Sequence, residues 1–193
     1  MILIDSGIPY RLRNIVFIGF MGVGKTTIGE LVAKKLLRDF IDVDKEIERE
    51  FNMPISEIFK TIGEMNFREK EKETISNICT KQLQVISLGG GAFLQKEIRE
   101  ICLSGSVVFF LDITWSSWKE RLNIIVDSRP VLHGRSLEEI EAMFYNRQEI
   151  YAMHNSKFNT DNFDAEEMAN YITETIKFSW DLYDPQQDQH NGF

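Results

Sequence analysis

The stretch GFMGVGKTT, residues 19–27, constrains this chain more than any other part of it. Gly19 to Thr26 fits the spacing G-x-x-x-x-G-K-[ST]. It follows the apolar run IVFIG (15–19) and opens TTIGELVAKKLL, where Ile28, Leu31, Val32 and Leu36 share one helical stripe. A strand, a glycine-rich turn and a helix in that order form a cradle for phosphates. Glycines let successive backbone N–H groups curl around the oxygens, and the helix N-terminus adds its positive dipole. Gly22, Val23, Gly24, Lys25, Thr26 and Thr27 are therefore expected to bind ATP, with Lys25 on the β and γ phosphates and Thr26 a ligand of Mg²⁺. A glycine-rich turn with an incidental lysine is the plain alternative, and both flanks argue against it.

A strand–loop–helix unit needs parallel neighbours, and the rest of the chain supplies the pattern for them. RDFIDVD (38–44), QVISLGGG (84–91), SVVFFLD (106–112) and SKFNTDN (156–162) read as further short strands, separated by helical periodicities. In ISEIFKTIG, Ile55, Ile58, Phe59 and Ile62 fall on one face and Gly63 reads as a stop. The alternation predicts an α/β fold with a mainly parallel sheet covered on both faces. With 193 residues the chain is expected to form one domain. Its polar end, DPQQDQHNGF, reads as a disordered tail.

The net charge of −8, without a basic block, argues against nucleic acid and anionic membranes as partners. Any anionic ligand then depends on a few placed cations. Cys79 and Cys102 lack metal-ligand spacing and read as reduced core thiols. The start MILIDSGIPYRLRN has no basic segment followed by an apolar stretch, and no run is long enough to span a membrane, so a cytoplasmic location is expected.

Several side chains then ask for a ligand. Read as a strand end, DVD sends Asp42 and Asp44 to one face at the carboxyl end of the sheet, where open α/β sheets bind. One acid can serve Mg²⁺ through water and the other can take a hydroxyl's proton; alternatively both cap the helix that follows. Arg68 lies on the stripe Glu64, Arg68, Glu71, Ile75, Ile78, and Arg147 on the stripe Leu137, Ile140, Phe144, Arg147, Tyr151, so both charges face inward. An inward arginine needs an anion, and two together can clamp a carboxylate. For Arg68 an ion pair with Glu64 or Glu71 is the competing reading. The triplet Gly89, Gly90, Gly91 suggests close approach of backbone to a substrate. VDSRPVLHGRS, with Arg129 before a proline and a second arginine beyond Gly134, has the form of a lid bringing a cation to the nucleotide, or of a surface connection. Asp112 ends an hhhhD strand and is either a metal ligand or, as we favour, a cap for the helix opening at Thr114-Trp115-Ser116.

GFMGVGKTTIG, DVD, GEMNFREKE, SLGGGAF, RPVL and NRQEIY stand in the order and at the separations of shikimate kinases, and the chain resembles that family from about Asn14 to Lys177, most closely its bacillus-type members. The resemblance implies a three-layer α/β/α P-loop fold of the nucleoside-monophosphate-kinase type with a five-stranded parallel sheet. It also implies transfer of the γ-phosphate of ATP to the 3-hydroxyl of shikimate, with Mg²⁺, in aromatic amino-acid biosynthesis. On it, Lys25, Asp44 and Arg129 are catalytic; Asp44, Arg68, Gly90 and Arg147 hold shikimate; Asp42 assists Mg²⁺ through water; and Arg129 also meets the nucleotide. The partners expected are shikimate and ATP, and the chain is expected to act as a monomer. RPVL departs from the family's RPLL in one apolar position, and RLNIIVDS is more apolar than the family's lid approach, which leaves a nucleotide role for Arg121 open. Residues 1–13 form an extension, 14–178 the kinase domain and 179–193 the tail. Other readings are a kinase for another polyol acid such as gluconate, or a nucleotide-dependent regulatory module without catalysis.

Overall fold

The computed structural model describes residues 7–125, 132 and 134–183. Five strands, β1 (Asn14–Ile18), β2 (Asp39–Asp42), β3 (Gln84–Ser87), β4 (Ser106–Asp112) and β5 (Ser156–Asn159), form one sheet in the order β2-β3-β1-β4-β5. Every neighbouring pair is parallel. The helices are α1 (Lys25–Leu36), α2 (Val43–Phe51), α3 (Ile55–Cys79), α4 (Lys96–Gly105), α5 (Trp115–Ile125), α6 (Leu137–Tyr151) and α7 (Ala165–Tyr183).

Why the sheet is covered on both faces follows from its connections. The step from β1 to β2 runs one way along the sheet, and the steps from β2 to β3, β3 to β4 and β4 to β5 run the other way. Since parallel crossovers are right-handed, α1 lies on one face and the remaining crossover helices on the opposite one. α7 then packs on α1. Strands buried on both sides read as near-continuous apolar runs; NIVFI of β1 is buried at every position, and its one polar residue, Asn14, is satisfied by donating to Lys81 O and accepting from Gln84 N. Cys79 and Cys102 are free thiols.

The reversal of direction beside β1 leaves a crevice at the carboxyl ends of the strands. β1 and β3 are neighbours in register, Phe17 opposite Ser87, so the phosphate loop after β1 and the glycine triplet after β3 emerge side by side. Gly63 interrupts α3 with φ 77° and ψ 166° without ending it, so the expected stop is a kink. A Cβ there would meet nothing within 4 Å; the backbone angle alone calls for glycine.

At the far end the boundary drawn at residue 178 falls inside a helix. α7 continues to Tyr183, Trp180 packs against the core, Tyr183 stacks on Tyr10 at 5.2 Å, and Arg11 pairs with Asp181 at 2.7 Å. The aromatic spacing of α7 carries the helix beyond the expected edge by tying it to the N-terminal 3₁₀ turn Tyr10–Leu12. The rest of the tail lies outside the described residues. Among the described residues no helix is long and apolar enough to cross a membrane.

Candidate functional site

The phosphate loop has its cradle geometry. Gly22 (φ 78°) and Gly24 (φ 101°) occupy left-handed backbone that turns the N–H groups inward, and Gly24 caps α1. Lys25 is 8% exposed, and its Nζ donates to the carbonyls of Gly19 at 2.9 Å and Phe20 at 3.0 Å. Its charge thus lies folded back over the loop it serves. The indole Nε1 of the fully buried Trp118 donates to Met21 O at 2.7 Å, and Arg121 Nη1 reaches Gly22 O at 3.4 Å. Sequence reasoning gave neither residue a role; α5 brings both to the loop from more than ninety positions away.

Asp42 and Asp44 do not share a strand. β2 ends at Asp42, which caps α2 by accepting from Lys45 N at 3.2 Å, and Asp44 sits in the first turn of that helix. The Asp42 carboxylate, followed by VDKEIERE, favours helix initiation over strand extension, because it satisfies an otherwise unpaired N–H. Both acids nevertheless line one cavity of about 770 Å³, with Gly22, Gly24, Lys25, Thr26, Thr27, Ser87, Gly89 and Gly90. Thr26 Oγ1 donates to Asp42 Oδ2 at 2.6 Å, placing a hydroxyl and a carboxylate together at the loop's mouth.

A second cavity, about 380 Å³, adjoins the first and shares Met21, Asp44, Ile55, Gly89 and Gly90 with it. Its cations are Arg68, Arg135 and Arg147. Arg68 realises the competing ion pair, with Nη1 at 2.7 Å from Glu71 and Nη2 at 3.4 Å from Glu64, and still faces the cavity. Glu71 is 1% exposed and also accepts from Gln95 Nε2 at 2.8 Å. Burial pushes its carboxyl up to about 7, against the opposing charge of Arg68 and with Asp44 adding to the rise. Arg147 is partly buried over the Phe20 ring, 5.4 Å from its centroid, and gives Nη1 to Gly90 O at 3.0 Å. Gly90 O also accepts from Tyr151 Oη at 2.6 Å. The inward Arg147 therefore has a carbonyl where an anion was expected, because the stripe delivers it to the triplet's backbone.

The triplet itself is explained by crowding. A Cβ on Gly89 would lie 2.5 Å from Asp44 Oδ1, and one on Gly91 2.8 Å from Arg68 Nη2. None of the three has the positive φ found in the phosphate loop. They let two of the expected site side chains press against the backbone of β3's exit.

Asp112 is not a helix cap. Thr114 Oγ1 accepts from Ser117 N at 3.3 Å and takes that task, whereas Asp112 is held by Lys157 Nζ at 3.1 Å, Gln148 Nε2 at 3.2 Å and Ile113 N at 2.9 Å. Arg129 lies outside the described residues. Glu71 and Tyr151 stood on the two arginine stripes, so periodicity could have found them; Gln95 carries no such signal.

Comparison with known proteins gives the family. The shikimate kinase family profile matches residues 21–177. The chain is 58% identical over 181 residues to a shikimate kinase of Bacillus pumilus, covering 93% of this chain and 98% of that one. It is also 58% identical over 179 residues to a shikimate kinase of Bacillus subtilis, covering 92% and 96%. Among solved structures, a shikimate kinase from Acinetobacter baumannii in complex with shikimate aligns with TM-score 0.80 and 29% identity over 91% of this chain and 98% of that chain. With the profile spanning most of its length and relatives this similar covering nearly all of it, the chain belongs to the shikimate kinase family.

Proposed function

We infer that this chain transfers the γ-phosphoryl group of ATP to the 3-hydroxyl of shikimate, giving shikimate 3-phosphate and ADP, in the route to chorismate and the aromatic amino acids. The observation that carries the site assignment is the position of Asp44, which lines both the phosphate-loop cavity and the arginine cavity. An acceptor whose carboxylate lies toward Arg68 and Arg147 presents a hydroxyl at Asp44, facing phosphates held by residues 22–27. The P–O bond to the β-phosphate then breaks, a P–O bond to the hydroxyl oxygen forms, and Asp44 accepts the hydroxyl proton. Lys25, by leaving its loop carbonyls for the phosphate oxygens, stabilises charge that grows in the transition state.

Thr26 and Asp42 offer hard oxygen donors of the kind Mg²⁺ selects, and they are already within 2.6 Å of each other. Among the described residues no group of three or more His, Cys, Asp or Glu could hold a metal alone, which suits an ion shared with the nucleotide. When bound there, Thr26 directly and Asp42 through water would hold Mg²⁺, which supplies neutralisation of β- and γ-phosphate charge. The working form is taken to be a cytoplasmic monomer.

The test is ADP release by the purified chain with ATP, Mg²⁺ and shikimate, with gluconate as the control acceptor. Turnover should require shikimate, and Asp44→Asn should lower kcat by about 10²-fold or more. ADP release indifferent to shikimate would refute the assignment.

A further inference from the structure

Three arginines and three carboxyl groups face the smaller cavity: Arg68, Arg135 and Arg147 against Asp44, Glu64 and Glu71. The balance matters for an acceptor that is itself an anion. Arg68 is already engaged by Glu71 and Glu64, and Arg147 gives Nη1 to the carbonyl of Gly90. Without Arg135 two guanidinium groups would face Asp44, Glu64 and a Glu71 whose carboxyl is raised to about 7, leaving no excess of positive charge to attract an incoming carboxylate.

Arg135 is well anchored for a residue between a loop and a helix. Its N–H donates to the carbonyl of the buried Leu132 at 3.3 Å. The next residue, Ser136, starts α6 with a reciprocal capping box, its N–H donating to Glu139 Oε2 at 2.7 Å and its Oγ accepting from Glu139 N at 3.3 Å. Backbone fixed on both sides restricts the arc its guanidinium can sweep. Burial holds Arg147 below its ordinary value; Tyr151 opposes that shift, and the charges of Arg68 and Arg135 add to it, as cations sharing one cavity do.

We propose that Arg135 is a specificity-determining residue of the acceptor site, a third guanidinium that recognises the acceptor's carboxylate and is not needed for phosphoryl transfer itself. This rests on the reading of the smaller cavity as the acceptor's. Arg135 is exposed, so its replacement leaves the core intact.

Steady-state kinetics of Arg135→Gln and Arg135→Lys in the full chain decide the matter. Arg135→Gln should raise KM for shikimate about tenfold, with kcat and KM for ATP within about twofold of wild type. Arg135→Lys should recover part of that loss, because it restores the charge without the planar fork. An unchanged KM for shikimate, an equal rise in KM for ATP, or no recovery by lysine would overturn the proposal. Lack of shikimate-dependent turnover by the wild-type chain would instead refute the proposed function.

Discussion

Glu71→Gln isolates the energetic cost of a buried carboxyl at the heart of the site. Glu71 is 1% exposed, bonded to Arg68 and Gln95, and near Asp44; its pKa rises from 4.5 to about 7. A carboxyl whose folded pKa lies above its unfolded one binds its proton more tightly when folded. Its favourable contribution is complete below about pH 4.5 and is lost as pH rises through about 7. A rise of this size, at about 1.4 kcal/mol per pH unit, amounts to about 3 kcal/mol, of which about 2.5 kcal/mol falls between about pH 5 and 8. Glutamine keeps the shape and an acceptor for Arg68 but cannot ionise. Urea denaturation of both proteins at pH 5, 6, 7 and 8 gives the difference in stability, in which all other titrating groups cancel to first order. The variant should gain on the wild type by about 2 to 3 kcal/mol across that range. A difference that stays flat with pH, or that moves in favour of the wild type as pH rises, would refute the reasoning, because the pair with Arg68 would then outweigh desolvation.

Gly89→Ala places a Cβ 2.5 Å from Asp44 Oδ1 and 3.2 Å from Glu71 Oε1, so Asp44 must move. We expect kcat to fall by on the order of 10²-fold with little change in the urea midpoint, and an unaltered kcat would remove the crowding argument for the triplet. Arg147→Lys keeps the charge but loses the fork that reaches Gly90 O, so KM for shikimate should rise about tenfold or more while KM for ATP holds; equal damage to both would assign Arg147 to the nucleotide or to packing over Phe20.

The phosphate loop was legible because its function is written in local backbone chemistry: glycines at fixed offsets, a lysine, a hydroxyl, and the strand and helix that frame them. The inward faces of Arg68 and Arg147 were legible too, since helical periodicity is a property of the chain before it folds. What those arginines touch was not. Arg147 meets Gly90 across 57 positions and Trp118 meets Met21 across 97, distances over which no local pattern carries a signal. The pairing of Asp42 with Asp44 shows the same limit at shorter range, because strand and helix both put them beside the phosphates and only a cap to Lys45 N decides between the two.

By itself, then, the order of short-range patterns determined a parallel α/β sheet, a nucleotide loop and a set of charges turned inward. Only the tertiary structure decided that β3 lies beside β1, so that the glycine triplet faces the phosphate loop and Asp44 joins two cavities. The physical reason is that sheet order is set by which apolar faces bury best against each other and by the handedness of the crossovers, properties of the packed whole. Burial also set the charge state of Glu71, since a carboxyl's pKa depends on the water it loses, and that loss is known only once α3, β3's exit and Gln95 have closed around it.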